Sequence, residues 1–285
     1  MTITFAGVPD RSATHLAAAK RMPIVPAVVT GVVLAVVIGL VSWWWLGLAI
    51  GVIVGIATFV LRPRNAAAKV LARYELRDAG PEEFPRLVNL VESVCLDSGV
   101  DEPSLHVIDD PAMNLAVVAE AGRPADLVVT TGLLDGLNRI ELEAVIAAGL
   151  VRIRNNDALV GTLAATMVAG PSLRFGPTTP TKPPAFAMIR IGARADRIRR
   201  LYGDHRAMET DMSAMAVTRY PPAMASALEK MRDHGTAVSG ATWGTAHLFL
   251  ADPLQPAAEA SDQRLNAMHS IHGEIDHRID LLGEM

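Results

Sequence analysis

Side chains able to hold a metal or move a proton gather at two places in this sequence. His205, Glu209 and Asp211 crowd a stretch of seven residues, and His269 and His272 stand three apart near the C-terminus. Imidazole nitrogens and carboxylate oxygens ligate zinc, and both groups serve as acids or bases near neutral pH. Neither cluster has the i, i+4 histidine pair that puts two imidazoles on one helix face. Each therefore reads as surface or hydrogen-bonded residues, with a displaced metal site as the alternative. Cys95 is the only cysteine, so the chain alone makes no disulfide and no cysteine zinc cluster. It falls on an apolar helix face, where a thiol packs rather than reacts. No glycine-rich phosphate loop or nucleophile-elbow motif is present.

The elements that must position these residues begin in a membrane. The 285 residues carry a net charge of -4 and a mean hydropathy of +0.29, too apolar for an ordinary soluble domain and too acidic for a nucleic-acid binder. From Ile24 to Leu61 there are 38 residues without a charge. About 20 apolar residues cross a bilayer, so the run predicts two transmembrane helices, and Ser42, Trp43, Trp44 and Trp45 at its middle predict an interfacial turn. Lys20 and Arg21 precede it and Arg62 and Arg64 follow, while the turn has no basic residue. The positive-inside rule then places both ends in the cytoplasm, in a multi-pass inner-membrane protein. This gives a tail over 1–23, a hairpin over 24–61 and a cytoplasmic domain over 62–285. Gly47, Gly51 and Gly55 recur every four residues and offer a side-chain-free face for close helix packing, either on the first helix or on a partner protein.

In the remainder, helical spacing predicts a helix over Pro81 to Ser98 closed by Gly99, and short strands at Ser104 to Ile108, Leu115 to Ala119 and Leu127 to Thr130. Asn138 and Glu141 form a capping-box pair at the start of a long helix. Ala158 to Ala169 reads as a core or interface-lying helix, Phe186 to Thr218 as an arginine-rich helical segment, and Pro221-Pro222 as a helix start. Gly235 to Thr245 reads as a flexible loop, and Glu274 to Leu282 as the last helix.

Several ordered words resemble the HtpX-type membrane zinc metallopeptidases. VVTTGLLDGLNRIELEAVIA (Val128 to Ala147) is similar to the stretch leading into that family's zinc helix, and RNND (Arg154 to Asp157) to its exit. PAMNLAVV, VTRYPPAMASALEKM, HLFLADP and HGEIDHRIDLLGEM resemble further family segments in the same order. The resemblance implies an α+β, zincin-like, mostly helical domain with a small β-sheet after the N-terminal hairpin. It also implies that the HExxH letters fall on Ala148, Gly149 and Arg152, and the third ligand on Ala207. None of these four can do the family's chemistry: alanine has no donor atom, glycine no carboxylate, and a guanidinium stays protonated.

The expectation is therefore a degenerate, non-enzymatic member without metal or cofactor, serving as a binding, scaffolding or regulatory subunit in a membrane complex. The alternative is a membrane metalloendopeptidase with a non-standard metal site. Partners would be a membrane protein or peptide segments, besides the lipid bilayer, and not nucleic acid. Asn114, Arg152, Asp211 and His272 are the candidate cleft residues: the resemblance gives Asn114 to the cleft strand, Asp211 to an acidic neighbour of the lost ligand, and His272 to a histidine whose following proline is here Gly273. Arg152 is expected to pair with Glu209 or Asp211.

Overall fold

Alternation along the strands decides how the sheet is sandwiched. In β2 (Ser104–Ile108), β3 (Leu115–Val118) and β4 (Asp126–Thr130), successive side chains point to opposite faces. Val107, Leu115, Val117, Leu127 and Val129 enter one hydrophobic core, and Ile108, Ala116, Val118 and Val128 enter another. With β1 (Leu76–Asp78) they form a mixed four-stranded sheet in the order β1-β2-β4-β3. β2 and β4 run parallel with Ser104 opposite Asp126, and the other pairings are antiparallel. A computed structural model describes residues 11–41, 43–177, 179, 183–203, 205–257 and 259–285; Ser42 of the expected turn lies outside them.

Helices cover both faces. α1 (Ser12–Arg21) leads into α2 (Ile24–Val41) and α3 (Trp44–Leu61), which among the described residues are the two helices long and apolar enough to cross a membrane. Trp43, Trp44 and Trp45 are exposed where the two meet. A Cβ on Gly51 would stand 2.5 Å from the Gly31 carbonyl oxygen and 2.7 Å from the Ala35 Cβ. One on Gly47 would stand 2.5 Å from the Gly39 nitrogen, and one on Gly55 3.4 Å from the Ala27 oxygen. These glycines thus face α2 of their own hairpin, where their missing side chains let the backbones approach.

After α4 (Ala66–Leu71) and β1, α5 (Pro85–Ser98) starts on its proline and stops at Gly99, whose φ of 64° suits glycine. α6 (Thr131–Gly136) is short. α7 (Arg139–Arg154) opens with the expected capping box: the Asn138 side chain accepts from the Glu141 N–H, and the Glu141 carboxylate accepts from the Asn138 N–H. α7 lies on the sheet with Leu142, Val145, Ile146 and Leu150 wholly buried, each contributing about 1.5–3 kcal/mol on burial. Gly149 is explained here: a Cβ would meet Leu127 at 2.9 Å and Leu115 at 3.0 Å, so glycine sets how closely helix and sheet approach.

The apolar stretch beyond is α8 (Asp157–Leu163) continued by a π-helical turn over Ala164–Ala169, mostly buried in a third core rather than lying on a surface. The arginine-rich segment breaks in two, α9 (Ala185–Tyr202) and α10 (Arg206–Thr218), with Gly203 at φ 78° between them. α11 (Pro221–His234), α12 (Ala260–His269) and α13 (Ile275–Gly283) complete the chain. The segment from Gly235 to Thr245 has no regular structure, yet Val238, Ala241 and Trp243 are buried in it, which corrects the expectation of a flexible loop.

Candidate functional site

The last turn of α7 presents Arg152 to the interior, where 2 % of it is exposed. Its Nη1 donates to the Leu248 carbonyl at 2.7 Å and its Nη2 to that of His247 at 3.0 Å. Its Nε reaches Asp157 Oδ2 at 3.4 Å. Asp157 is the first residue of α8, and Asn156 before it, at φ 56°, reverses the chain so that the carboxylate faces back toward α7. A second guanidinium closes the cluster. Arg206, the first residue of α10, donates Nε to the same Asp157 Oδ2 at 2.7 Å and Nη1 to the His247 carbonyl at 2.8 Å. Its guanidinium lies 4.0 Å above the Tyr202 ring, a cation–π contact strengthened by desolvation.

Burial would raise the Asp157 carboxyl, but Arg206 and Arg152 outweigh it and hold the group below its usual range. Burial, then the charge of Arg206, lowers Arg152 to about 10, so it remains a cation. Burial and the two arginines push His247 down to about 3, and His272 also falls well below its ordinary value. Two guanidiniums, one carboxylate and neutral imidazoles leave one excess positive charge.

Two small cavities adjoin the cluster. One, of about 20 Å³, is lined by Arg11, His15, Asp157 and Glu209 among others; the other, of about 10 Å³, by Arg152, Arg206, Ala207, Thr210 and His272 among others. Each has room for about one water. Among the described residues, buried Asp157 Oδ1, Arg206 Nη2 and His272 Nδ1 have no hydrogen-bond partner. α1 roofs this corner: Arg11 donates to the Tyr202 carbonyl and pairs with Glu209 at 2.6 Å, and the His15 ring meets the Asn155 carbonyl at 3.0 Å.

The residues singled out from sequence fall into two groups. Arg152, Ala207 and His272 come together around one cavity. Ala148 and Gly149 are buried in the helix–sheet packing. Asn114 is fully enclosed: its amide donates to the Thr236 and Ala251 carbonyls, and its side-chain oxygen accepts from the Leu115 N–H. Its side chain ties three segments together and leaves nothing for a ligand. The expected pairing of Arg152 with Glu209 or Asp211 is corrected, since Glu209 holds Arg11 and Asp211 holds Arg278 through two bonds of 2.7 and 2.8 Å. His205 is exposed, and His269 is buried with its Nδ1 on the Leu265 carbonyl. Burial pushes the Cys95 thiol up to about 11, in keeping with a packing role. Sequence reasoning missed Asp157, Arg206 and Arg278 as partners; the only signal for Asp157 and Arg278 was that they lay inside words of the resemblance, and Arg206 carried none.

The zinc implied by the resemblance does not fit this corner. Ala148 and Ala207 supply no donor, Arg152 brings a fixed cation, and a glutamate at 149 would displace Leu127 and Leu115. Among the described residues no three of His, Cys, Asp and Glu are grouped to hold a metal ion.

Comparison with known proteins supplies the family. The chain is 32% identical to a protease HtpX homolog of Dictyoglomus turgidum over 265 residues, 86% of this chain and 85% of that relative. It is 32% identical to one of Dictyoglomus thermophilum over 238 residues, 78% and 76% of the two. A Limosilactobacillus fermentum homolog matches at 27% over 277 residues, 90% and 86%. A family model described as GHMP kinases C terminal matches residues 195–269, about a quarter of the chain, from within α9 to the end of α12. No solved structure matches. These relatives correct the expectation of a non-enzyme: they are named proteases and match over most of the chain, which points to a peptidase. Substitution at four positions describes one corner of the fold and does not establish inactivity. Together with its two membrane-length apolar helices, the similarity makes this a membrane protein, and the chain belongs to the HtpX protease family.

Proposed function

We propose that the protein is a membrane endopeptidase of the HtpX family that acts on polypeptide segments through a non-standard centre. The observation that carries the peptidase reading is the similarity to protease HtpX homologs along 85% of a relative's length. The Arg152–Asp157–Arg206 cluster supports the non-standard character, because it occupies the corner where the resemblance puts zinc. Two open grooves meet at exposed Arg154. One, of about 780 Å³, runs past Val100, Glu120 and Arg123, and the other, of about 500 Å³, past Ser98, Ser213 and Arg219. Their mixed polar and apolar lining suits an extended peptide. A zincin-like arrangement, a hairpin over 24–61 and a domain over 62–285 with both termini cytoplasmic belong to the same reading, supported by the basic residues at the open end of the hairpin.

The test is proteolysis by the purified full-length chain in detergent, with casein and an unfolded membrane protein as substrates. Cleavage is expected, and Arg154→Glu, which alters the junction of the grooves, should raise KM. A chelator arm then separates a displaced metal centre from a metal-free one. No cleavage of either substrate, with a zinc-bearing relative active in the same assay, would overturn the reading.

A further inference from the structure

The hairpin carries an apolar groove of about 400 Å³ between α2 and α3. Its walls are Ile24, Val28 and Val32 on α2 and Val52, Ile56 and Phe59 on α3, all between 42 and 61 % exposed. Small residues form its floor: Gly31 and Gly51 bring the backbones together, so the walls stand above them. The groove runs from Ile24 to Ala35 on one helix and from Phe59 to Leu48 on the other. At 1.5 Å per residue that is roughly 16 Å, about half of a hydrocarbon core of about 30 Å. It is one leaflet deep and opens at the end of the hairpin away from the tryptophans.

That open end is basic, in register with the groove. Arg21 lies three residues before Ile24 and seven before Val28, and Arg62 three after Phe59 and seven after Gly55, spacings that share a helix face. Arg21 and Arg62 are exposed, as are Lys20, Arg64 and Lys69 nearby. None of these five side chains has a hydrogen-bond or ion-pair partner among the described residues. No acidic residue falls between Arg11 and Glu75. An apolar slot of one-leaflet length under a cluster of unpaired cations matches a molecule with an acyl chain and an anionic head.

We propose that the groove is a binding site for one anionic phospholipid, an acyl chain lying between α2 and α3 and the phosphate resting on Arg21 and Arg62. A zwitterionic lipid would fill the slot but gain less from the cations. A partner helix or a second copy would use the groove without needing the charges. The site is independent of the peptidase reading, since its readout is bound lipid.

The experiment is native mass spectrometry of the delipidated full-length protein, titrated with phosphatidylglycerol and with phosphatidylcholine of identical chains. One phosphatidylglycerol should bind at least tenfold more tightly than phosphatidylcholine. Arg21→Gln and Arg62→Gln should each weaken it about fivefold. Val52→Phe, at a lipid-exposed wall position, fills the groove and should remove the tight site while the basic residues stay. Equal affinity for the two lipids would overturn the proposal. So would undiminished phosphatidylglycerol binding by Val52→Phe, which would assign the lipid to the cations alone, or a detergent-stable dimer that Val52→Phe dissolves, which would assign the groove to a second copy.

Discussion

Two buried ion clusters involve α10, one at its first residue, Arg206, and one at Asp211 near its middle, built from the same residue types to different balance. Asp211 takes both its bonds from Arg278, whose remaining Nη1 donates to the Leu250 carbonyl at 3.1 Å; one cation meets one anion, and no atom of either is left without a partner. At the N-terminus of α10, Asp157 is shared by Arg152 and Arg206, one charge goes unmatched, and Asp157 Oδ1 and Arg206 Nη2 lack partners. A buried pair that is fully satisfied holds its elements in one arrangement. A buried cluster with surplus charge and open hydrogen-bond positions is costly in that state. The family resemblance puts its metal at the second cluster, where Ala207 and Arg152 stand instead of ligands.

The largest effect should come from the shared anion. Asp157→Asn leaves two guanidiniums facing each other in the interior, and we expect about 5 kcal/mol lost, the upper end for breaking a buried pair. Urea unfolding in detergent measures it; a loss below about 1 kcal/mol would mean that the arginines are already compensated. The balanced pair should be less sensitive. Arg278→Met leaves a single buried carboxylate and should cost about 3 kcal/mol. Adding Asp211→Leu should restore much of it, since replacing both partners removes the stranded charge; strict additivity of the two would deny the coupling.

How much of this was legible in the sequence follows from the range of each interaction. The Asn138–Glu141 capping box, the Gly99 stop and the three strands rest on residues a few positions apart, so local pattern revealed them. The clusters were not legible because Asp157 meets Arg206 across 49 positions and Asp211 meets Arg278 across 67, and no spacing rule reaches that far. The α9–α10 break was hidden because arginines continue on both sides of Gly203. Gly149 looked like a loss when judged within its helix; its reason lies in Leu115 and Leu127 on the sheet. The N-terminal residues were read as a tail because α1 has few strong apolar side chains, and its docking rests on Arg11, Ser12 and His15.

Acid should probe the unbalanced cluster, whose groups yield in separate windows. His247 has its folded value pushed down to about 3 by burial and then the neighbouring arginines, against about 6.5 unfolded. A histidine kept neutral in the fold gives its full stabilisation above about 6.5 and loses it as pH falls toward the folded value, because the unfolded state takes up the proton first. From pH 6.5 to 5 the loss from His247 should be about 2 kcal/mol, at roughly 1.4 kcal/mol per unit. Asp157, held low, contributes above its unfolded value near 4 and fails only below it. His247→Gln should flatten the slope between pH 5 and 6.5; an unchanged slope would assign it to other groups.

The smallest effect tests whether α1 belongs to the unbalanced cluster or merely covers it. Arg11 pairs with Glu209 at 2.6 Å, but the side chains are 34 % and 21 % exposed, so solvent screens the pair and its direct contribution should be under about 1 kcal/mol. Arg11 also donates to the Tyr202 carbonyl at 3.0 Å, and Tyr202 stacks on Arg206, so removing Arg11 loosens the roof over the surplus charge. Arg11→Gln keeps a donor for that carbonyl and removes only the charge. We expect it to cost a few tenths of a kcal/mol and to lose part of that in 1 M salt, where the Debye length shortens to about 3 Å. Arg11→Ala removes the donor as well and should cost more in both salts. Equal losses for the two variants, insensitive to salt, would make Arg11 a packing residue and detach α1 from the electrostatics of the corner it covers.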